Sequence, residues 1–200
     1  MKIGHIYYSL NFGGIETLLV NTTSWQANHD YIVDLILFNK QCKSNLISSL
    51  NKKVNLIQIN RDSNSKGFFE VIKLNFILFK NNYDIIHIHA AELGNIILPF
   101  FNFKTVLHVH ATIEITNNRI PKFNKCIAIS KSVKDVLISN YKIRDIIVIY
   151  NGIDFCSFKQ KTSNIVSNKI VCIGNLNISI KNQNHIIEEF NKIKGIIDAN

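Results

Sequence analysis

The chain has 200 residues, of which 46% are hydrophobic, and 23 Lys and Arg against 14 Asp and Glu give a formal net charge of +9. This apolar content is enough for a buried core and excludes an intrinsically disordered chain. The excess positive charge favours anionic partners such as nucleotides or phospholipid surfaces, and no basic or aromatic recognition pattern supports binding to nucleic acid. The four cysteines form no C-x-x-C pair, so we expect reduced thiols of a cytoplasmic protein.

Strands and helices are predicted to alternate along the chain. The predicted strands are rich in Ile and Val and mostly continuous in hydrophobicity, which is typical of parallel strands covered on both faces. They cover residues 2–9, 31–38, 54–59, 84–89, 105–110, 125–129, 146–150 and 169–173. The predicted helices cover residues 15–28, 44–51, 67–81, 92–100, 132–140 and 182–194, and Ser130 is the predicted N-cap of the fifth. This alternation predicts an α/β fold with a Rossmann-like, doubly wound parallel sheet.

The composition becomes polar after residue 157, and residues 158–168 are predicted to form a linker. A new strand and helix are predicted within residues 169–200. One βα unit cannot form a stable sheet alone. We therefore expect a complete domain over residues 1–157 and the start of a second, incomplete domain after the linker. No apolar run is long enough to span a bilayer, and no signal peptide is evident.

A double-glycine turn, Gly13–Gly14, follows the first predicted strand and leads into a helix. Backbone can approach a ligand closely at glycine, and the free N–H groups and dipole at a helix N-terminus favour a phosphate. The alternative is a plain strand-to-helix turn. The two glycines by themselves do not decide between these interpretations.

Two histidine pairs, His87 with His89 and His108 with His110, lie on neighbouring predicted strands. A spacing of two places both side chains of a pair on one sheet face. His89 and His110 end their strands, where ligands bind in open α/β sheets, whereas His87 and His108 are expected to be buried. Four imidazoles could also hold a metal ion, with Glu92 and Glu114 as further ligands, but we favour a site without metal.

The predicted helix 67–81 carries many apolar side chains interleaved with lysines. Its apolar positions nearly surround the helix, which favours a buried packing helix. The alternative is an interfacial helix that lies on an anionic lipid surface.

Several local motifs occur in one order along the chain. They cover residues 13–17, 83–90, 108–111, 126–132, 149–154 with Phe158, 169–176 and 181–183. This ordered set resembles glycosyltransferase family 4 of the GT-B superfamily over essentially the whole chain, and the Asn-Gly-Ile-Asp segment at residues 151–154 is its most specific part. The resemblance implies two Rossmann-like domains that face each other across a cleft.

The resemblance also implies an activity and site residues. Such enzymes transfer a sugar from a nucleotide-sugar donor, such as a UDP- or GDP-sugar, to a glycan or lipid-linked acceptor, usually with retention and without a metal or other cofactor. By this resemblance Gly13 and Gly14 approach the donor diphosphate, and His110 is the catalytic-site residue beside the transferred sugar. Lys181 would bind the diphosphate, while Asn175 stands where the family has an Arg. His89 and Glu16 are candidates for the acceptor cleft.

The chain departs from the family pattern in two ways. Asn175 cannot supply the charge of an Arg, and the family's later glutamate pair would lie beyond Asn200. Glu188 and Glu189 come too early to be that pair and are predicted to lie on an exposed helix face. We therefore expect a transferase chain that has negligible turnover on its own, at the inner face of a membrane or in the cytoplasm. Its pathway would be bacterial-type surface polysaccharide or glycolipid assembly in the cell envelope.

Three alternatives remain open at this point. The chain could be the non-catalytic, acceptor-binding half of a split transferase. It could be a metal-dependent hydrolase that uses the two H-x-H pairs. A nucleotide-sugar epimerase with a similar two-domain fold is the third.

Overall fold

A computed structural model describes residues 1–40, 42, 44–62, 65, 67–111, 120–153, 171–174 and 182–197. The chain divides into two compact units, Met1–Phe158 and Lys159–Asn200, which are described separately. The first unit contains the sheet and the candidate site.

The first unit is built on one parallel sheet of seven strands. The strands are β1 Lys2–Tyr7, β2 Ile32–Asn39, β3 Asn55–Arg61, β4 Ile85–Ile88, β5 Thr105–Val109, β6 Lys125–Ala128 and β7 Ile146–Val148. Their order is β3-β2-β1-β4-β5-β6-β7, and every neighbouring pair is parallel. The strand order therefore reverses between β1 and β4, as in a doubly wound fold, and the predicted fold class is confirmed.

Helices connect most of these strands. They are α1 Gly14–Asn28, α2 Ser44–Ser48, α3 Phe68–Asn81, α4 Ala91–Gly94 and α5 Lys131–Tyr141, with a 3₁₀ helix over Pro99–Lys104. Ser130 is the N-cap of α5 as predicted, because its side chain accepts a hydrogen bond from the Val133 N–H at 3.2 Å. The predicted single helix 92–100 is wrong. Leu98, which precedes Pro99, has an extended backbone, as proline imposes on the residue before it.

In the second unit, the structure describes a helix, α6 Gln183–Ile197, and residues 171–174. Residues 171–173 are the described part of the predicted strand 169–173, and they form no strand; Val171 and Ile173 are exposed. The structure thus shows the helix of the predicted βα unit but no strand in these three residues.

Two apolar clusters cover the two faces of the sheet. Val33, Leu35 and Leu37 of β2 pack with Leu19 and Val20 of α1 on one face. On the other face, Ile36, Ile86 and Leu107 belong to a larger cluster with Leu74 and Leu78 of α3. Successive side chains of a strand point to opposite faces, so this alternation follows directly from the strand register. The face under α1 also carries the candidate site.

A buried hydrogen bond joins β2 to Tyr83, which lies two residues before β4. The Asp34 carboxylate is 3% exposed and accepts hydrogen bonds from the Tyr83 hydroxyl and, at 3.1 Å, from Asn55 Nδ2. Burial and the neighbouring carboxylate raise the pKa of Tyr83 far above its ordinary value. The Tyr83 ring also lies against Gly4, where an added Cβ would be 3.1 Å from the ring. This arrangement ties β1, β2 and β4 together.

Tyr83→Phe is expected to lower the free energy of unfolding by about 2 kcal/mol, because it removes a donor from a buried carboxylate and keeps the ring. Urea denaturation measures this change. The matched control is Tyr150→Phe, since the Tyr150 side chain is exposed and a surface change of this kind stays within about 0.5 kcal/mol. Equal stabilities of the two variants would contradict the proposed role of the hydroxyl.

The outer side of α3 is exposed, so the prediction of a buried packing helix is wrong for this side. Leu74 and Leu78 are buried, but Phe69 is 79% exposed and Phe76 is 62% exposed. Neighbouring apolar side chains extend this surface, which we call the α3 aromatic face: Phe68, Phe69, Ile72, Phe76, Phe79, Leu98, Phe100 and Phe103. A groove of about 510 Å³ runs along it between α3 and the 3₁₀ helix. Within the described part of the chain, no helix combines the length and hydropathy needed to cross a bilayer.

Candidate functional site

Five histidines form one continuous layer on the sheet face that α1 partly covers. They are His5 of β1, His87 and His89 at β4, and His108 and His110 at β5. His5 pairs directly with His87 across the β1–β4 register. The ring centroids are 4.2 Å apart both for His87–His89 and for His108–His110. The predicted shared face of each pair is therefore present, and the adjacency of β1, β4 and β5 joins the two pairs to His5.

Three of these histidines form a hydrogen-bonded chain that begins at α1. Gln26 Oε1 lies 2.8 Å from His5 Nε2, and His5 Nδ1 lies 3.0 Å from His89 Nε2. His89 Nδ1 in turn lies 3.1 Å from His110 Nε2. We call Gln26, His5, His89 and His110 the histidine chain. It runs from α1 across β1 and β4 to the carboxyl end of β5.

Burial keeps these imidazoles neutral near neutral pH. It lowers the pKa of His5 and of His110 to about 4, although the hydrogen bond with Gln26 opposes the shift at His5. Burial, followed by repulsion from neighbouring histidines, lowers the pKa of His89 well below its ordinary value. A neutral imidazole has one N–H donor and one acceptor nitrogen. His110 is therefore uncharged near neutral pH, with its Nε2 beside His89 and its Nδ1 enclosed within the protein.

Two triplets of these histidines could offer ligands to a metal ion: His5, His87 and His89, or His89, His108 and His110, with ligand nitrogens within 4.8 Å of one another. Both triplets include His89, and both of its ring nitrogens already lie at hydrogen-bond distance from other histidines. Several of the rings are also stacked with nearly parallel planes, so the lone pairs of their nitrogens lie in nearly parallel planes as well. The arrangement favours a hydrogen-bonded chain over chelation.

The double-glycine turn lies at the start of α1, at the same carboxyl edge of the sheet. Gly13 precedes the helix in an extended conformation, and its carbonyl accepts a hydrogen bond from the Thr17 N–H at 3.2 Å. A Cβ at Gly13 would collide with the Glu16 carboxylate, whereas a Cβ at Gly14 would meet nothing within 4 Å. The contact at Gly13 is with the flexible end of the Glu16 side chain, which can move aside, and Gly14 borders open space.

Glu16 lies over the N-terminus of α1, where the sequence analysis places a phosphate. Its carboxylate forms a hydrogen bond with its own backbone N–H, which partly offsets the rise in pKa that burial causes. A carboxylate and a phosphate compete for the same positive helix end. Binding of a diphosphate there requires the Glu16 side chain to turn away.

The other predicted site residues fall into two groups. Lys181, Asn175 and Glu114 lie outside the described residues, as do Asp154 and Phe158 of the closing motif. Glu188 and Glu189 are exposed on α6, as predicted. Gly152 and Ile153, from the motif at residues 151–154, line a cavity of about 600 Å³ together with the outer side of α1.

The sequence predicts a cleft position for His89 and His110 and burial for His87, and this contrast is wrong: His89 is 2% and His110 7% exposed, whereas His87 is half-buried. Sequence reasoning also missed His5 and Gln26 as members of the site. The signal for His5 was present, because a doubly wound order makes β1 the neighbour of β4 and thus places His5 beside His87. No local pattern identifies Gln26. Its role follows from the packing of α1 against β1.

Comparison with solved structures shows the fold. A glycosyltransferase from Rickettsia africae ESF-5 matches with a TM-score of 0.53 and 20% identity over 76% of this chain and 43% of that chain. Anabaena Alr3699/HepE, solved in complex with UDP and glucose, matches with a TM-score of 0.51 and 21% identity over 77% of this chain and 45% of that chain. This chain thus spans less than half the length of either protein.

Comparison of the sequence with known proteins found a match to a family model. No curated protein matches the chain. The model of Glycosyltransferase Family 4 matches residues 12–155, which include the glycine turn, the two H-x-H pairs and the closing Asn-Gly-Ile motif. Since this match covers well over half of the 200 residues, the chain belongs to glycosyltransferase family 4.

Proposed function

We propose that this protein transfers a sugar from a nucleotide-sugar donor to a glycan or lipid-linked acceptor, and that His110 lies beside the transferred sugar. The observation that carries the proposal is that the glycine turn follows β1 and His110 follows β5 at the carboxyl edge of one sheet, on either side of β4 and next to the point where strand order reverses. Ligands of open α/β sheets bind at this point. Family membership and the relative solved with UDP and glucose support a nucleotide-sugar donor.

In the proposed sugar transfer, the N-terminus of α1 and His110 have different roles. Breaking the bond between sugar and diphosphate develops negative charge on the leaving phosphate. The N–H dipoles at the start of α1 oppose that charge once Glu16 has turned away. Neutral His110 orients a sugar hydroxyl by hydrogen bonding, which requires its enclosed Nδ1 to become accessible. A retaining transfer in which the leaving phosphate guides the acceptor requires neither an enzymatic nucleophile nor a metal ion. Lys181 remains our proposed further contact to the diphosphate.

The α3 aromatic face supports the proposal that the protein binds its acceptor at a membrane surface. Soluble domains rarely expose apolar patches of more than a few hundred Å², and larger ones mark interaction sites. Lys73 and Lys80 lie exposed on the same helix, and Lys104 lies beside Phe103 with its Nζ 5.6 Å from the ring centroid. Aromatic side chains flanked by lysines match the chemistry of an anionic lipid interface. We therefore propose peripheral association with an anionic membrane through this face.

Transfer is tested by incubating the protein that contains these residues with UDP- and GDP-sugars and a lipid extract as acceptor. We expect release of nucleoside diphosphate that persists in the presence of a chelator. His110→Ala is expected to lower kcat by about a hundredfold, because an oriented hydrogen bond in the transition state is lost.

The control for this prediction is His29→Ala, which removes an exposed histidine at the end of α1. Equal kcat values for His110→Ala and the unchanged protein would contradict the proposed position of His110 beside the transferred sugar. Turnover that stops when a chelator is added would instead favour a metal-dependent reaction that uses the two H-x-H pairs.

A further inference from the structure

Arg61 is the last residue of β3 and lies at the carboxyl edge of the sheet. Its guanidinium carbon is 5.8 Å from the centroid of the Phe38 ring, and its Nη1 donates a hydrogen bond to Asn39 Oδ1 at 3.2 Å. Its Nη2 donates to the carbonyl oxygen of Ser65 at 3.4 Å. The half-buried side chain is therefore held in place from the end of β2 and from the segment that follows β3.

The positive charge of Arg61 is not neutralised by a neighbouring carboxylate. Among the described residues, no Asp or Glu lies within ion-pair distance of this guanidinium, and the adjacent Asp62 pairs instead with Lys40 at 3.7 Å. A guanidinium has five N–H donors, and the two hydrogen bonds to Asn39 and Ser65 use two of them. The charge and the other donors therefore suit an anionic group.

Arg61 adjoins the start of the α3 aromatic face. Gly67, the N-cap of α3, has a φ of 75°, and a Cβ there would lie 3.2 Å from Cδ and Nε of Arg61. Phe68 and Phe69 follow Gly67 directly, and both rings are mostly exposed. A cation thus borders the apolar surface at the end of α3 that faces the carboxyl edge, and the positive end of the helix dipole adds to its potential.

Arg61 also lies on the same sheet edge as the glycine turn. Only β2 separates β3 from β1, and neighbouring strands are about 4.8 Å apart, so the carboxyl ends of β3 and β1 are about 10 Å apart. Burial raises the pKa of Tyr8, the residue after β1, to about 12; the Glu92 carboxylate adds to this rise and the charge of Arg61 opposes it. The field of Arg61 therefore reaches the end of β1.

We propose that Arg61 binds the phosphate group of a lipid-linked acceptor, whose apolar chain lies along the α3 aromatic face and whose accepting hydroxyl points toward the glycine turn. The substrate class is thus a lipid with a phosphate between its apolar chain and the hydroxyl that receives the sugar. An arginine fork binds phosphate oxygens through two parallel N–H···O bonds. A phosphate and one attached sugar can span the distance to the end of β1. The assignment of this lipid as acceptor rests on the proposed function.

The direct test is a titration of the unchanged 200-residue chain with dihexanoyl phosphatidate, a soluble lipid with one phosphate. Nitrogen-15 NMR of the arginine Nε–H groups follows the titration. We expect the Arg61 signal to shift until it saturates, whereas the signal of Arg144, an exposed arginine after α5, should not move. Dihexanoylglycerol has the same chains without the phosphate and should leave the Arg61 signal in place. An Arg61 signal that phosphatidate does not move would overturn the proposal.

Substitution of Arg61 measures the strength of the contact. Arg61→Gln is expected to raise the Kd of dihexanoyl phosphatidate by about tenfold to a hundredfold, because hydrogen bonds from a charged donor are lost. Arg61→Lys keeps the charge without the fork and should have an intermediate Kd. Arg144→Gln removes the same charge elsewhere and should leave the Kd unchanged. Equal Kd values for Arg61→Gln and the unchanged protein would contradict the assignment.

Arg61 also holds Asn39 and Ser65, so urea denaturation must show that each variant is folded. The NMR titration of the unchanged protein decides the question if Arg61→Gln does not fold. Competition then identifies the source of the phosphate. Displacement of the lipid by an equal concentration of inorganic phosphate would make Arg61 a site for a free anion, and displacement by an equal concentration of UDP would assign it to the donor. Either result would overturn the lipid assignment.

Activity separates this inference from the proposed function. In the active protein, Arg61→Gln is expected to raise the KM for a phosphate-bearing lipid acceptor by about tenfold or more, with a smaller change in the KM for the nucleotide sugar. Phosphatidate binding at Arg61 in a protein that transfers no sugar would overturn the proposed function and leave the phosphate site intact. Sugar transfer with an unchanged acceptor KM in Arg61→Gln would overturn the phosphate site and leave the function intact.

Discussion

Lowering the pH from about 7 to about 5 is expected to unfold this chain, because its buried histidines bind protons far more readily when unfolded. The ordinary histidine pKa is about 6.5. Burial lowers the pKa of His5 and His110 to about 4 and that of His108 to about 3, and it lowers those of His87 and His89 well below the ordinary value. Stability is therefore fully present above about pH 6.5 and declines as the pH falls toward the folded-state values.

The expected size of this effect is large. Each additional proton bound by the unfolded state changes the free energy of unfolding by about 1.4 kcal/mol per pH unit, so five histidines give up to about 7 kcal/mol per pH unit. Small domains are stable by about 5–15 kcal/mol in total. Urea denaturation at a series of pH values measures this slope.

A substitution within the histidine layer sharpens the measurement. Neither ring nitrogen of His108 has a hydrogen-bond partner among the described residues, so His108→Leu removes one ionisable group and two unsatisfied buried atoms. We expect the slope of the free energy of unfolding against pH to decrease by the contribution of about one proton. The stability at neutral pH should be equal or higher. His29→Gln, at an exposed histidine outside the layer, is the control for the substitution of a histidine as such. A stability that does not vary between about pH 7 and about pH 5 would contradict the neutral, buried state of these rings.

Replacing Phe69 and Phe76 together by Ser is expected to weaken binding to anionic vesicles by more than about a hundredfold. Both rings are mostly exposed, and moving two such rings from water into a lipid interface is worth about 3 kcal/mol or more. Lys80→Gln should weaken binding by about fivefold, since a basic side chain near an anionic surface contributes about 1 kcal/mol. Co-sedimentation with vesicles that contain anionic or only neutral lipids measures these changes.

The control for this experiment is Phe12→Ser, because Phe12 is similarly exposed but lies before α1, outside the α3 aromatic face. Equal loss of binding in this variant and in the double variant would contradict the assignment of the surface. A dimer in sedimentation velocity that disappears in the double variant, without any vesicle binding, would assign the face to a second copy of the chain instead.

Local pattern was sufficient to predict the sheet and much of the helix content. Continuous Ile and Val runs mark buried parallel strands, and all seven strands of the first unit were predicted in place. The N-cap at Ser130 was predicted because capping depends on residues adjacent in sequence. The helix predicted over residues 92–100 failed where Pro99 restricts its predecessor, although that restriction is also local.

The exposure of the α3 aromatic face could not be predicted in this way. Periodicity shows how much of a helix is apolar, but burial depends on whether another element packs against each side. Leu74 and Leu78 meet the sheet, whereas Phe69 and Phe76 meet no such layer among the described residues. The same apolar content therefore produced a core contact on one side and an exposed surface on the other.

The sequence by itself determined the alternation of strands and helices, the family and the shared sheet face of each H-x-H pair, because these depend on short-range periodicity and on ordered motifs. Tertiary structure alone decided that His5 joins the two H-x-H pairs and that Gln26 lies at the end of the histidine chain. That outcome depends on which strands are neighbours and on how α1 packs across them. Residues far apart in sequence, such as Gln26 and His110, become coupled only when the sheet order brings their hydrogen-bond partners together.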